Sequence, residues 1–204
     1  MKQNITCPCG KIFSVQAGEE IDLDQNPEYL EKISGGSFMS FICPGCGKNH
    51  KPEYPVKLLW PSKKLKFEVL PELNRGEFYR RKKEEPGFET IIGYPELEDR
   101  LAIIRDGLEP TVIEALKYYL LLKAEETYPD REINAWYRGN GPGGIEFHLY
   151  GIKEDEVAVM RIPPELYDKT LEDYRKRPKK DIFTSLRIRS YLSVQNMLRP
   201  DIFK

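Results

Sequence analysis

Four cysteines in two tight pairs constrain this chain more than any other feature. Thr6-Cys7-Pro8-Cys9-Gly10-Lys11 and Ile42-Cys43-Pro44-Gly45-Cys46-Gly47-Lys48 are two versions of one turn. Proline rigidifies such a turn and the two thiols converge at its tip. Glycine after the second cysteine admits a positive φ, which lets amide N–H groups point at sulfur. Two knuckles supply four thiolates, the number that closes a structural tetrahedral zinc site. Cys7, Cys9, Cys43 and Cys46 are therefore the expected ligands of one structural Zn2+. His50, just beyond Cys46, is the substitute ligand if the tighter first pair fails to contribute both sulfurs.

Compartment and partner class follow from the rest of the composition. No apolar run reaches the roughly 18 to 20 residues that span a bilayer, and the stretch before Cys7 is too polar for a secretory signal. A cytoplasmic protein is expected, where thiols stay reduced and paired cysteines read as metal ligands rather than disulfides. Apolar residues at 40% and aromatics at 11% fit a globular chain. With 32 basic against 33 acidic residues, the net charge of -1 argues against a chain devoted to wrapping nucleic acid.

The periodicities predict a mixed α+β fold in two parts. Residues 1–73 form a zinc-ribbon-like β module: short strands around each knuckle (Asn4–Thr6, Lys11–Val15, Phe38–Ile42), and a short helix from Asn26-Pro27 to Ile33, closed by Gly35-Gly36. Val56, Leu58 and Trp60 alternate with Lys57 and Leu59, and Leu65, Phe67 and Val69 with Lys66 and Glu68 across a Pro61–Lys64 turn, which predicts a hairpin. Residues 74–90 are charged and turn-rich and read as a linker. Residues 91–204 form a second α+β domain. It opens with a helical hairpin: Leu97, Leu101, Ile104 and Leu108 on one helix, with Glu96, Glu98 and Asp99 at its positive end, then a helix from Pro110. Strands over Glu132–Tyr137, Ile145–Tyr150 and Val157–Ile162, a helix after Pro163-Pro164 and a partly helical tail from Asp181 to Leu198 complete it.

The knuckles, the Ser34-Gly35-Gly36-Ser37 stretch, Lys51-Pro52-Glu53-Tyr54-Pro55, the hairpin ending Leu70-Pro71 and the segment Leu97–Leu122 together resemble the CpXC family of bacterial and archaeal proteins, named for two Cys-Pro-x-Cys motifs. The resemblance implies a zinc-binding domain and assigns it no biochemical role. Cys7-Pro8-Cys9 departs from the pattern by lacking the spacer residue.

Other groupings have plainer readings. The Gly139–Gly144 loop precedes a strand pattern, not the helix a phosphate cradle needs. Glu146 and His148 share a strand face with nothing to complete a catalytic set. Two basic runs, containing Arg80, Arg81, Lys82 and Lys83 and then Arg175, Arg177, Lys179 and Lys180, are the residues that would contact nucleic acid. The leading expectation is a non-enzymatic interaction or adaptor module with a structural four-cysteine zinc site. An unidentified protein is its partner, met through aromatics at Tyr54, Trp60, Trp136 and Tyr191. Nucleic-acid binding through the basic runs is the alternative.

Overall fold

The computed structural model describes residues 2–81 and 85–198. It is a mixed α+β structure, and the chain divides into two compact units, residues 1–98 and 99–204.

In the first unit, β1 (Lys2–Thr6) and β2 (Ile12–Gln16) form an antiparallel hairpin whose tip is the first knuckle. β3 (Glu20–Asp22) follows, then α1 (Glu28–Ser34). Pro27 sits at the N-cap of α1, where the sequence predicts Asn26. Its C-terminus closes as a Schellman turn, with Gly36 at φ +63, its N–H on Ile33 O and the Ser37 N–H on Lys32 O. β4 (Phe41–Ile42) and β5 (Asn49–His50) are a second minimal hairpin with the second knuckle at its tip. The expected strand is cut short because Phe38 and Met39 lie in a turn, Met39 at φ 49.

β6 (Val56–Trp60) and β7 (Leu65–Leu70) pair as the alternation predicts, Leu58 opposite Phe67 and Val56 opposite Val69. All four are buried. Asp24 accepts from both the N–H and the hydroxyl of Ser62, 2.6 Å each, and so pins the intervening loop. β3 adds in parallel beside β6. After α2 (Arg75–Arg80), β8 (Glu89–Ile92) adds in parallel beside β7, giving the order β8-β7-β6-β3 within this unit.

The stretch read as a charged linker thus carries a helix and the start of a strand. What the charge density conceals is that Arg75 is buried, bonding Glu72 (2.5 Å), Glu96 (2.8 Å) and Ile92 O (3.2 Å). α3 (Tyr94–Arg105) begins in this unit, its first N–H taken by Glu53 Oε1 at 2.8 Å.

The second unit is built on α4 (Pro110–Thr127), started by Pro110 with the Glu109 carboxylate accepting from Thr111 N–H. Gly107 at φ +72 ends α3, as the sequence predicts. A three-stranded antiparallel sheet packs on α4: β9 (Asn134–Gly141), β10 (Gly144–Lys153) and β11 (Glu156–Ile162), in the order β11-β10-β9. Tyr137, Phe147, Leu149 and Ile162 meet Ile113, Leu116 and Leu121 in its core. The tail comprises α5 (Pro164–Lys176), α6 (Asp181–Ser185), a hairpin of β12 (Arg187–Ile188) with β13 (Tyr191–Leu192), and α7 (Gln195–Leu198).

Two glycines set how closely this sheet approaches its neighbours. A Cβ on Gly144 (φ +102) would lie 2.3 Å from Ile162 O, and one on Gly151 (φ +94) would lie 2.1 Å from Glu132 O. Both obstacles are backbone, so neither can swing aside. Gly144→Ala and Gly151→Ala are each expected to cost at least about 2 kcal/mol in equilibrium unfolding, combining left-handed strain with collision.

Asp99 is a further correction. The sequence predicts it at the positive end of α3. Instead it is buried with Arg100, Glu114 and Lys117. Lys117 Nζ reaches Asp99 Oδ2 at 2.5 Å and Glu114 Oε1 at 2.8 Å. Arg100 lies 4.0 Å from Glu114 and donates to Leu192 O at 2.7 Å. The carboxylates also accept main-chain N–H groups, Tyr137 on Asp99 (2.6 Å) and Val194 on Glu114 (2.8 Å). Two cations and two anions balance inside the core, and the two carboxylates hold the Lys117 ammonium above its ordinary pKa despite its burial.

Candidate metal centre

The two knuckles differ by one residue and close in parallel ways. In each, the first cysteine's N–H bonds the lysine after the knuckle, Cys7 to Lys11 O (2.9 Å) and Cys43 to Lys48 O (2.8 Å). In each, the glycine after the second cysteine bonds back to the first cysteine's carbonyl, Gly10 to Cys7 and Gly47 to Cys43, both at 2.9 Å. Gly10 and Gly47 sit at φ +87 and +73, the left-handed conformation that brings the chain round. The missing spacer of the first motif therefore shortens the turn without unmaking it. The second knuckle's extra residue, Gly45, lies against the first. A Cβ there would stand 3.3 Å from Lys11 Cβ and 3.7 Å from Cys9 Sγ, and its N–H points at Cys43 Sγ, 3.4 Å away.

This interlocking brings all four Sγ atoms within 4.8 Å of one another. Two close approaches cross between knuckles, Cys7 to Cys46 at 3.6 Å and Cys9 to Cys43 at 3.7 Å. A disulfide would need about 2.05 Å. Sulfurs on a tetrahedron about 2.3 Å from a central ion lie about 3.8 Å apart. The thiols are positioned to hold a metal ion, with Cys7 and Cys43 buried and Cys9 and Cys46 at the exposed rim.

His50 lies outside this group. Its ring meets Phe13 edge-on, with centroids 5.8 Å apart, and its buried Nε2 has no hydrogen-bond partner among the described residues.

The thiols are tuned against each other. Burial pushes the Cys43 thiol up, but N–H groups of Gly45 and Cys46 and the thiols of Cys7 and Cys9 bring it down to about 7. Cys7 receives an N–H from Cys9, yet burial and the other three thiols push it up to about 12. One thiolate forms readily, and a second beside it needs a cation. Metal binding at pH 8 must then release at least the Cys7 proton. Affinity is expected to fall as pH drops, more steeply below about 7, where Cys43 also protonates. Calorimetry in buffers of different ionisation enthalpy measures this proton release.

Of the basic residues expected to contact nucleic acid, Arg81, Arg177 and Lys180 are engaged locally. In the first unit Arg80 is exposed, while Arg81 bonds Glu68 at 2.6 Å and lies over the Phe78 ring. Lys82 and Lys83 lie outside the described residues. In the second unit Arg177 and Lys180 both bond Asp173, and Lys176 bonds Glu172. Arg175 and Lys179 are exposed.

Glu146 is held below the usual carboxylate range by Arg161 and then by His148, which reads as an ion-paired sheet face. Of the four expected contact aromatics, Trp60 and Tyr191 are buried, and Tyr54 and Trp136 are half-buried. The exposed apolar side chains beside the metal centre are instead Ile12 and Ile42, 62% and 71% exposed. Alternation sets Ile12 on the face of β2 opposite the buried Val15, whereas β4, with two residues, is too short to place Ile42. Among the described residues, no helix is long and apolar enough to cross a membrane.

A protein of Treponema pallidum (strain Nichols), described as uncharacterised, is 28% identical over 218 residues, covering 95% of this chain and 97% of that protein. No solved structure matches. The family described as CpXC protein matches residues 5–117, a span holding both knuckles, the β6–β7 hairpin and the start of α4 through Lys117. With more than half its length matched and both cysteine turns inside the match, the chain belongs to the CpXC family.

Proposed function

We propose that the chain binds one structural zinc ion through Cys7, Cys9, Cys43 and Cys46, and that the metal-stapled module, within residues 1–73, works as a cytoplasmic protein-interaction element rather than a catalyst. The observation that carries this reading is the cross-knuckle sulfur spacing of 3.6 and 3.7 Å, close to the edge of a zinc–thiolate tetrahedron. A centre closed by four thiolates leaves no open position for water or substrate, which favours a structural role.

The metal stands in for an apolar core. β1–β2 and β4–β5 are two-stranded, and such hairpins are marginal in water on their own. Ile12 and Ile42 flank the knuckles and offer the apolar contact a partner protein would cover. The local ion pairs of Arg81, Arg177 and Lys180 weigh toward a protein partner over nucleic acid.

The test compares complexes captured from the native cell by the wild-type chain and by Ile12→Asp/Ile42→Asp. The double variant should keep one zinc per chain and lose its partner. A partner retained by the variant, or material lost to nuclease and high salt, would contradict the interaction reading.

A further inference from the structure

We propose, resting on the zinc reading above, that the four-cysteine centre is also a peroxide-responsive redox site. Each exposed sulfur takes the oxidant and is then captured by the buried sulfur of the opposite knuckle. The products are two bridges, Cys9 to Cys43 and Cys7 to Cys46, in place of the metal.

Half of the cluster is open to solvent. Cys9 and Cys46 are exposed, whereas Cys7 and Cys43 are only 2% and 1% exposed. Oxidation of a cysteine follows its access, so an oxidant meets Cys9 and Cys46 first. Each of these has a buried sulfur of the other knuckle beside it, Cys43 at 3.7 Å from Cys9 and Cys7 at 3.6 Å from Cys46. An accessible sulfur next to a resolving one is the arrangement of a redox-sensing pair.

Four thiols pair in three ways, and burial separates them. Pairing within knuckles requires a bridge from Cys7 to Cys9 across Pro8 alone. That ring is small, its proline is fixed in φ, and strained bridges are readily reduced. Pairing Cys7 with Cys43 and Cys9 with Cys46 joins buried to buried and rim to rim, leaving the buried pair without a sulfur that the oxidant reaches. Pairing Cys9 with Cys43 and Cys7 with Cys46 gives every bridge one exposed and one buried sulfur. These bridges span 34 and 39 residues of sequence, so they tie one hairpin to the other.

The electrons balance with a two-electron oxidant of the peroxide class. The Cys9 thiolate takes one oxygen from hydrogen peroxide to become a sulfenic acid, and hydroxide leaves. Cys43 Sγ attacks that sulfur, the S–S bond forms and a second hydroxide departs. The same two steps at Cys46 and Cys7 consume a second peroxide. A sulfur in a disulfide offers no thiolate to a cation, so the metal is released while the two hairpins stay linked.

Hydrogen peroxide titrated into the full, metal-loaded chain tests the proposal. About two equivalents are expected to release the bound zinc, read with a chromophoric chelator, and to leave no free thiol. Trypsin without reductant should then yield residues 3–11 joined to residues 33–48, with fragmentation placing the bridges at Cys9–Cys43 and Cys7–Cys46. Amides of β1, β2, β4 and β5 should stay protected from hydrogen exchange in the oxidised, metal-free chain. Opening the bridges with dithiothreitol beside a chelator should cut that protection at least about tenfold. Separate tryptic peptides, sulfinic acid at Cys9 or Cys46 without a bridge, or zinc retained after both equivalents would each overturn the proposal. A reduced chain that carries no zinc would overturn the metal reading instead, since the joined peptides report the pairing with or without metal.

Discussion

Removing the metal with a chelator is expected to abolish hydrogen-exchange protection in β1, β2, β4 and β5 while leaving β6, β7 and β10 protected. The four knuckle strands bury little of their own. Among their residues only Ile5 and Val15 are buried apolar side chains. Without a cation they are two hairpins that share no hydrophobic core sufficient to hold them. Structural zinc contributes an apparent ~10–16 kcal/mol in zinc-finger peptides near neutral pH, far more than such hairpins could supply. By contrast, Leu58, Phe67, Val69 and Ile92 are fully buried in the adjoining sheet, so its stability rests on packing. Cys43→Ser should reproduce the chelated state, because it removes one of the four proposed thiolates and the sulfur that accepts the Gly45 N–H. Knuckle amides still protected after chelation would mean that the metal is incidental to the fold.

Lys117→Met is expected to destabilise the second unit by about 3–5 kcal/mol in denaturant titration. The substitution nearly conserves volume, so little of the loss comes from packing. What it removes is the ammonium between Asp99 and Glu114, leaving two buried carboxylates with Arg100 as their nearest cation, 4.0 Å from Glu114. Those carboxylates also hold the Tyr137 and Val194 main-chain N–H groups, so their relaxation should loosen β9 and the tail together. Lys176→Met is the control. It breaks an exposed pair with Glu172 and should cost no more than about 1 kcal/mol. Equal effects from the two variants would show that the buried cluster is not what organises this unit.

Much of the architecture is legible where periodicity runs long enough. Leu58 and Phe67 stand at alternating positions of their runs, and they pair opposite one another as expected. The repeated cysteine turn is legible because proline and glycine each do one mechanical job in it, and Gly10 and Gly47 take the conformations that job requires. Short elements are not legible. β3 has three residues and gains its place only by parallel pairing with β6, a non-local contact that no window of sequence displays.

Charge misleads in two places. Arg75 and Asp99 look like solvated linker and helix-end residues, and both are buried because their partners lie elsewhere in the chain: Glu96 for Arg75, Lys117 for Asp99. Aromatics mislead in the opposite direction. The sequence places Trp60 and Tyr191 at a contact surface, yet size favours burial when the neighbouring strands present an apolar face. That the four cysteines come together can be read in advance from the repeated turn. The way Gly45 crosses to the opposite knuckle cannot, since it depends on a one-residue difference between turns far apart in sequence.

Zinc K-edge X-ray absorption of the purified, full chain tests the central claim most directly. Four sulfur scatterers at about 2.3 Å, with no nitrogen or oxygen in the coordination sphere, are expected for an ion held by both knuckles. A mixed sulfur and nitrogen or oxygen shell, or folded protein containing no zinc, would contradict it.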